Sequence, residues 1–386
     1  MGIADLNDSN TPCSDEKICA QAEQFSASEP TLCPSTPTPS SLNIHADTKT
    51  VVLHIGYEKT GSSAIQAFCA RNRDWLKKKN IEYPLVGTLP QHSLLYAEIN
   101  SKSPRRIHAI IRETRKQIDS STCQTVVFSH ESLHLLRPQV FQDMFAGYNT
   151  QVVAYLRNPS QAAISHFATM IRFGRLPIHD IGQAIRIYSQ TLISCFDYYW
   201  ELEAFANAFG RENLSVRHYS PDNLVGGQST SDFMHLLQVD QIPVTAWPGA
   251  RANPSIDADQ FLFISQVARQ LKHMPRNRIL KITKELCDVL IKKAPPQKDR
   301  PFEMLVQPNL KRAIDRYFEP NLRPLYDRYF QGEAVFESAP AVEHDPITID
   351  PNRAAKFTKI LRKSKLVPAS ILENIESEST NNEALA

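Results

Sequence analysis

The stretch Val51-Val52-Leu53-His54-Ile55-Gly56-Tyr57-Glu58-Lys59-Thr60-Gly61-Ser62-Ser63-Ala64-Ile65-Gln66 decides how the chain is read. It opens on an apolar, β-branched run that stops at Gly56, the pattern of a buried strand. A short polar turn follows, and from Ala64 to Lys79 the residues suit a helix. Strand, glycine-containing turn and helix start are the parts of a phosphate cradle. Backbone N–H groups at the helix N-terminus converge on an anion, and the helix dipole favours its charge. Lys59 adds a mobile positive charge, while Thr60, Ser62 and Ser63 add hydroxyl donors.

The stretch departs from the usual P-loop, in which four residues separate two glycines and a Lys then Ser or Thr follow. Gly56 and Gly61 have that separation, but Ser62 stands where the Lys belongs, and Lys59 precedes Gly61. Lys59-Thr60-Gly61-Ser62-Ser63 instead resembles the 5′-phosphosulfate loop of sulfotransferases that use 3′-phosphoadenosine 5′-phosphosulfate (PAPS). One such loop does not separate an enzyme from an unrelated turn, so a second anion site is needed.

Arg157-Asn158-Pro159-Ser160-Gln161-Ala162-Ala163-Ile164-Ser165 supplies it, about a hundred residues on. Arg157 ends the apolar run Gln151–Leu156. Asn158 and Pro159 read as the N-cap and first position of a helix through about Phe173. The Arg offers a planar fork for phosphate oxygens, and Ser165, inside the helix, adds a hydroxyl. This resembles the 3′-phosphate motif of the same enzymes, Arg-Asn-Pro with a later Ser. The resemblance, to bacterial carbohydrate-type and heparan-sulfate-type sulfotransferases, spans roughly residues 50–335. It implies PAPS as donor and the bisphosphate PAP as product. Lys59, Thr60, Gly61, Ser62 and Ser63 would hold the 5′-phosphosulfate, and Arg157 and Ser165 the 3′-phosphate.

The remaining sequence is consistent with that architecture. Thr125–Phe128 and Leu214–Tyr219 read as further strands, and helical patterns lie near 94–99, 104–118, 185–209, 257–272, 279–293 and 308–330. Strands alternating with helices predict an α/β, P-loop-type three-layer fold: a mostly parallel sheet flanked by helices, with a helical C-terminal part. In such sheets ligands bind at the carboxyl ends of the strands, where the conspicuous polar residues fall here. Residues 1–48, rich in Ser, Thr and Pro, read as a disordered arm. Residues 49–335 form the sulfotransferase-like domain, and 336–386 read as an irregular, partly disordered tail.

Composition narrows the function classes. With 386 residues and 42% hydrophobic content, the chain has ample core-forming sequence. A net charge of +2 gives no sign of a nucleic-acid or membrane polycation, so attraction for anions must be local. No apolar run approaches the roughly 20 residues of a membrane span. The first residues lack the basic start and apolar core of a signal peptide. Seven scattered cysteines without CxxC spacing argue against a disulfide or metal framework and suggest a reduced, cytoplasmic setting.

Sulfuryl transfer needs a base for the acceptor's proton, and three residues are candidates. His92 lies in Pro90-Gln91-His92-Ser93, Glu131 in Ser129-His130-Glu131-Ser132, and His130 beside it. Each resembles the base of some family member, and placement favours His92, then Glu131, then His130. No metal is expected. His54 reads as a packed core histidine, and His166 receives no role. Tyr219 could pack near adenine, and Arg251, Asn253 and Ser255 form a late polar turn. The resemblance implies a hydroxyl or amine acceptor on a small molecule or a carbohydrate, the carbohydrate being preferred, and no nucleic-acid partner is expected; the oligomeric state is not legible. A P-loop kinase using ATP and Mg²⁺ on a small alcohol is one alternative, disfavoured by the displaced Lys. A scaffold that kept the fold without catalysis is the other.

Overall fold

A computed structural model describes residues 42–44, 48–86, 92–174, 194–239, 242, 256–336 and 347–383. All lie in the unit Thr36–Ala386. Arg251, Asn253, Ser255 and the first part of the expected 185–209 helix fall outside the described residues.

Five parallel strands form one sheet in the order β2-β3-β1-β4-β5: β1 (Thr50–His54), β2 (Ile81–Glu82), β3 (Thr125–Ser129), β4 (Asn149–Leu156) and β5 (Leu214–His218). The α/β fold class expected from the sequence is the one observed. β1 lies at the centre and every residue of it is buried. Covered on both faces, such a strand reads as a continuous apolar run instead of alternating. Val51 and Leu53 enter one core and Val52 the other, as the pleat requires. His54 is buried at the end of β1, its Nδ1 2.7 Å from Ser129 Oγ, as a packed core histidine.

Helices cover both faces. On the side of Val52, α1 (Ser62–Arg71) and α2 (Arg73–Lys78) contribute Ile65, Phe68 and Leu76. The single helix expected over 64–79 is broken at Asn72, whose φ of −107° and ψ of 25° are not helical. α8 (Ser229–Leu236) packs on α1. The opposite core is built from α3 (Ser93–Asn100), α4 (Pro104–Ser120), α5 (Pro138–Phe145), α6 (Pro159–Arg172) and α7 (Tyr198–Phe209). It continues into α9 (Ala258–Gln270), α10 (Arg276–Lys293) and α11 (Pro308–Tyr329). Ser194–Phe196 is a 3₁₀ turn, so the helix ending at Phe209 begins at Tyr198. Among the described residues no helix is long and apolar enough to cross a membrane.

The expected irregular tail holds two helices, α12 (Pro351–Ser364) and α13 (Ala369–Glu383). Ala354, Phe357 and Leu361 give α12 one apolar stripe, and Leu372 and Ile375 do the same for α13. The polar composition that suggested disorder includes Arg353, which is buried against Asp257 and approaches Asp259 at 3.7 Å. Asp257 also caps α9, and Asp259 accepts two hydrogen bonds from Arg300 at 2.8 and 2.9 Å. Buried charges paired in this way are compatible with a packed segment.

Candidate functional site

Parallel pairing sets the site. His54 is in register with Ser129 and with Val153, and Leu156 with His218. The chain therefore leaves β1, β3, β4 and β5 at one edge, delivering residues 55–61, His130-Glu131, Arg157 and Tyr219 to it. A cleft of about 1230 Å³ opens there. Lys59, Gly61, Ser62, Ser63, Glu131, Arg157 and Ser165 line it, together with Glu58, His166 and Arg172.

The loop between β1 and α1 is braced from within. Thr60 and Ser62 hydroxyls both donate to the Tyr57 carbonyl, at 2.7 and 3.1 Å. Thr60 is buried, so its side chain shapes the loop and does not line the cleft. Gly56, at φ +50°, lets the loop lie against the turn that follows β3: a Cβ there would fall 2.9 Å from both Glu131 Cα and the His130 carbonyl oxygen. His134 Nδ1 holds the Gly56 carbonyl oxygen at 2.7 Å. Gly61 is the N-cap of α1, with no side chain capping the helix. The first-turn N–H groups of α1 are thus left without a side-chain cap, the arrangement that suits an anion.

Lys59 adopts φ +68°. Burial pushes its ammonium below the usual lysine range, and the charges of Arg172 and Arg157 push it further, while Glu131 and Glu303 oppose this. A compact cluster of unlike charges therefore surrounds the loop. Arg157 follows β4 directly, and Asn158 caps α6 by accepting from the Gln161 N–H at 3.1 Å. Gln161, Ser165, Thr169 and Arg172 recur at helical spacing and all line the cleft, so one face of α6 forms its wall. Behind β4 and β5, buried Asp232 accepts from Tyr155 Oη at 2.9 Å and from Arg217 at 2.7 and 3.1 Å. That tie fixes α8 against the strand ends.

The structure separates the three candidate bases. His92, the first choice by sequence, is buried away from the cleft. Its Nε2 lies 2.8 Å from the Pro84 carbonyl oxygen, and its Nδ1 accepts from the Ser129 N–H at 2.8 Å. Both nitrogens are thus engaged by backbone, and burial lowers its pKa to about 4. His130 stacks on Tyr96 with its Nδ1 taken by the Ser132 N–H, and it does not line the cleft. Glu131 does. Glu58 and Arg172 belong to no recognisable motif, and the one local signal for Arg172 is its recurrence seven positions after Ser165 on the same helix face. His166 contacts Glu58 through Nδ1 and Oε2 within the cleft.

No protein-family model matches the chain, and no curated protein matches it in sequence. Among solved structures it is similar to a sulfotransferase from Alicyclobacillus acidocaldarius, with 16% identity and a TM-score of 0.35 over 72% of this chain and 95% of that one. Likeness at that level carries no weight for function, which rests on the cleft itself.

Proposed function

We propose that the chain is a PAPS-dependent sulfotransferase acting on a hydroxyl acceptor, with a carbohydrate alcohol as the preferred class. The observation that carries this reading is the meeting of two anion-recognising segments, the Lys59–Ser63 loop and the Arg157–Ser165 segment, on one cleft. The residues fit such a donor. An uncapped helix start and Lys59 suit a 5′-phosphosulfate, and the Arg157 fork with the Ser165 hydroxyl suits a separate phosphate. A Lys placed before Gly61, with Ser62 after it, departs from the loop that cradles ATP.

When bound, PAPS supplies the sulfuryl group. Glu131 accepts the acceptor's hydroxyl proton as the new O–S bond forms. Lys59 stabilises the negative charge that grows on the departing phosphate oxygen as the old S–O bond breaks. Ser62 and Ser63 N–H groups hold the phosphosulfate oxygens, and Arg157 and Ser165 anchor the far phosphate, orienting the donor for in-line attack.

Calorimetric titration with PAP, beside ATP with Mg²⁺, tests the reading. Tight binding of PAP with none of ATP is expected, and Arg157→Gln should weaken PAP far more than 5′-AMP. Mg²⁺-dependent ATP binding would transfer the site to phosphoryl chemistry, and silence for both nucleotides would leave a non-catalytic scaffold.

A further inference from the structure

The loop that carries Lys59 is held from two sides. Lys59 is not glycine, yet it sits at φ +68°, the left-handed region that L-residues rarely adopt. Such a conformation persists only where the surroundings impose it. On its C-terminal side, Thr60 and Ser62 fasten the loop to the Tyr57 carbonyl. On its N-terminal side, Glu58 places Oε2 against His166 Nδ1 on α6. The His166 ring is itself set edge-on against Phe196, with centroids 5.8 Å apart. His166 is the residue after Ser165, and both line the cleft. One turn of α6 therefore presents a phosphate-binding hydroxyl and the imidazole that holds the neighbour of Lys59.

We infer that the Glu58–His166 contact makes occupancy of the 3′-phosphate end a condition for placing Lys59, so that the site discriminates for donors carrying both phosphate groups. The inference rests on the sulfotransferase reading of the cleft. Its physical content is a two-contact chain. A phosphate engaged by Arg157 and Ser165 fixes this turn of α6, His166 fixes Glu58, and Glu58 sets the backbone from which Lys59 projects. This scheme requires the imidazole to carry its proton on Nδ1, facing the Glu58 carboxylate. Glu58 and His166 are positioning residues in this scheme, acting through Lys59.

The test compares dissociation constants for PAP and 5′-AMP, which differ by the 3′-phosphate. Wild type, Glu58→Ala, Glu58→Gln, His166→Ala and the double alanine variant are titrated, with thermal denaturation as the check on folding. The preference for PAP is expected to fall about tenfold in either alanine variant, within the usual range of site coupling. The double variant should be no worse than the single ones. Glu58→Gln, whose amide oxygen still accepts from Nδ1–H, should keep most of the preference. In a Lys59→Ala background, Glu58→Ala should change the ratio no further. Should the alanine variant not fold, Glu58→Asp, too short to keep the contact, takes its place. Equal weakening of PAP and 5′-AMP, or an unchanged ratio, would overturn the coupling alone. A wild type that binds PAP no more tightly than 5′-AMP would instead remove the sulfotransferase reading beneath it.

Discussion

Gly61 and Ser229 approach so closely that a Cβ on Gly61 would fall 2.2 Å from Ser229 Oγ and 2.9 Å from its Cβ. Tyr219 closes the third side at 3.0 Å, and Gly61 holds φ +79°. The start of α8 thus abuts the start of α1, and only a residue without a side chain fits between them. Gly61→Ala is expected to cost about 1–2 kcal/mol from the left-handed backbone alone. PAP affinity should fall at least about tenfold, since 1.4 kcal/mol of misplacement suffices for that. Adding Ser229→Gly should restore only part, because the backbone strain stays. Chemical denaturation and PAP titration read the two effects.

Glu131 and His92 predict opposite outcomes. Glu131→Gln should lower transfer by about 10²–10⁴-fold, the usual contribution of a positioned base, with the fold intact. His92→Phe should instead reduce stability by about 1–3 kcal/mol, because it strands buried backbone groups. The correctly folded fraction should turn over normally. Rates normalised to folded protein distinguish the two.

Acid should destabilise the chain through its buried imidazoles. Burial lowers His92 and His134 to about 4 and His54 to about 3, from an ordinary value of 6.5. Between those folded values and 6.5 the unfolded chain binds more protons, so stability rises with pH across that window. The denaturation midpoint at pH 5 should lie below that at pH 7, and His92→Phe should shrink the difference.

Lys59 should impose an alkaline limit on donor binding. Its pKa is lowered below 10.5, chiefly by burial, so its charge is lost at a lower pH than that of a free lysine. PAP affinity is expected to decline as pH rises through that lowered value. A variant with Lys59→Arg, charged throughout, should show no such decline. Binding isotherms between pH 7 and 10 decide this.

Arg353 should be essential to the C-terminal helices. Its guanidinium lies against buried Asp257, near buried Asp259, and over the Phe357 ring at 4.9 Å. Arg353→Ala leaves two buried carboxylates short of a partner and is expected to cost about 3–5 kcal/mol. Limited proteolysis should then cut within 347–383 before the sheet is lost.

The sheet, and the edge at which the cleft opens, are legible in the order of residues along the chain. Runs such as Val51–Leu53, Val126–Phe128 and Val152–Leu156 are short, β-branched and without a polar face, so they read as buried strands, and parallel pairing brings the residues that end them to one edge of the sheet. Asn158 and Pro159 likewise carried their helix start in local chemistry. Which polar residues at that edge face the cleft depends on long-range packing. His92 and Glu131 look equally available in the sequence, but packing closes the first between Pro84 and Ser129 and leaves the second beside Lys59. Glu58 and His166 are 108 positions apart, and no local signal links them. Nor does composition reveal that Arg353 is paired inside the protein. Strand and helix preferences are set by neighbours in the chain, whereas the partner that makes a charge or an imidazole functional is supplied by the fold.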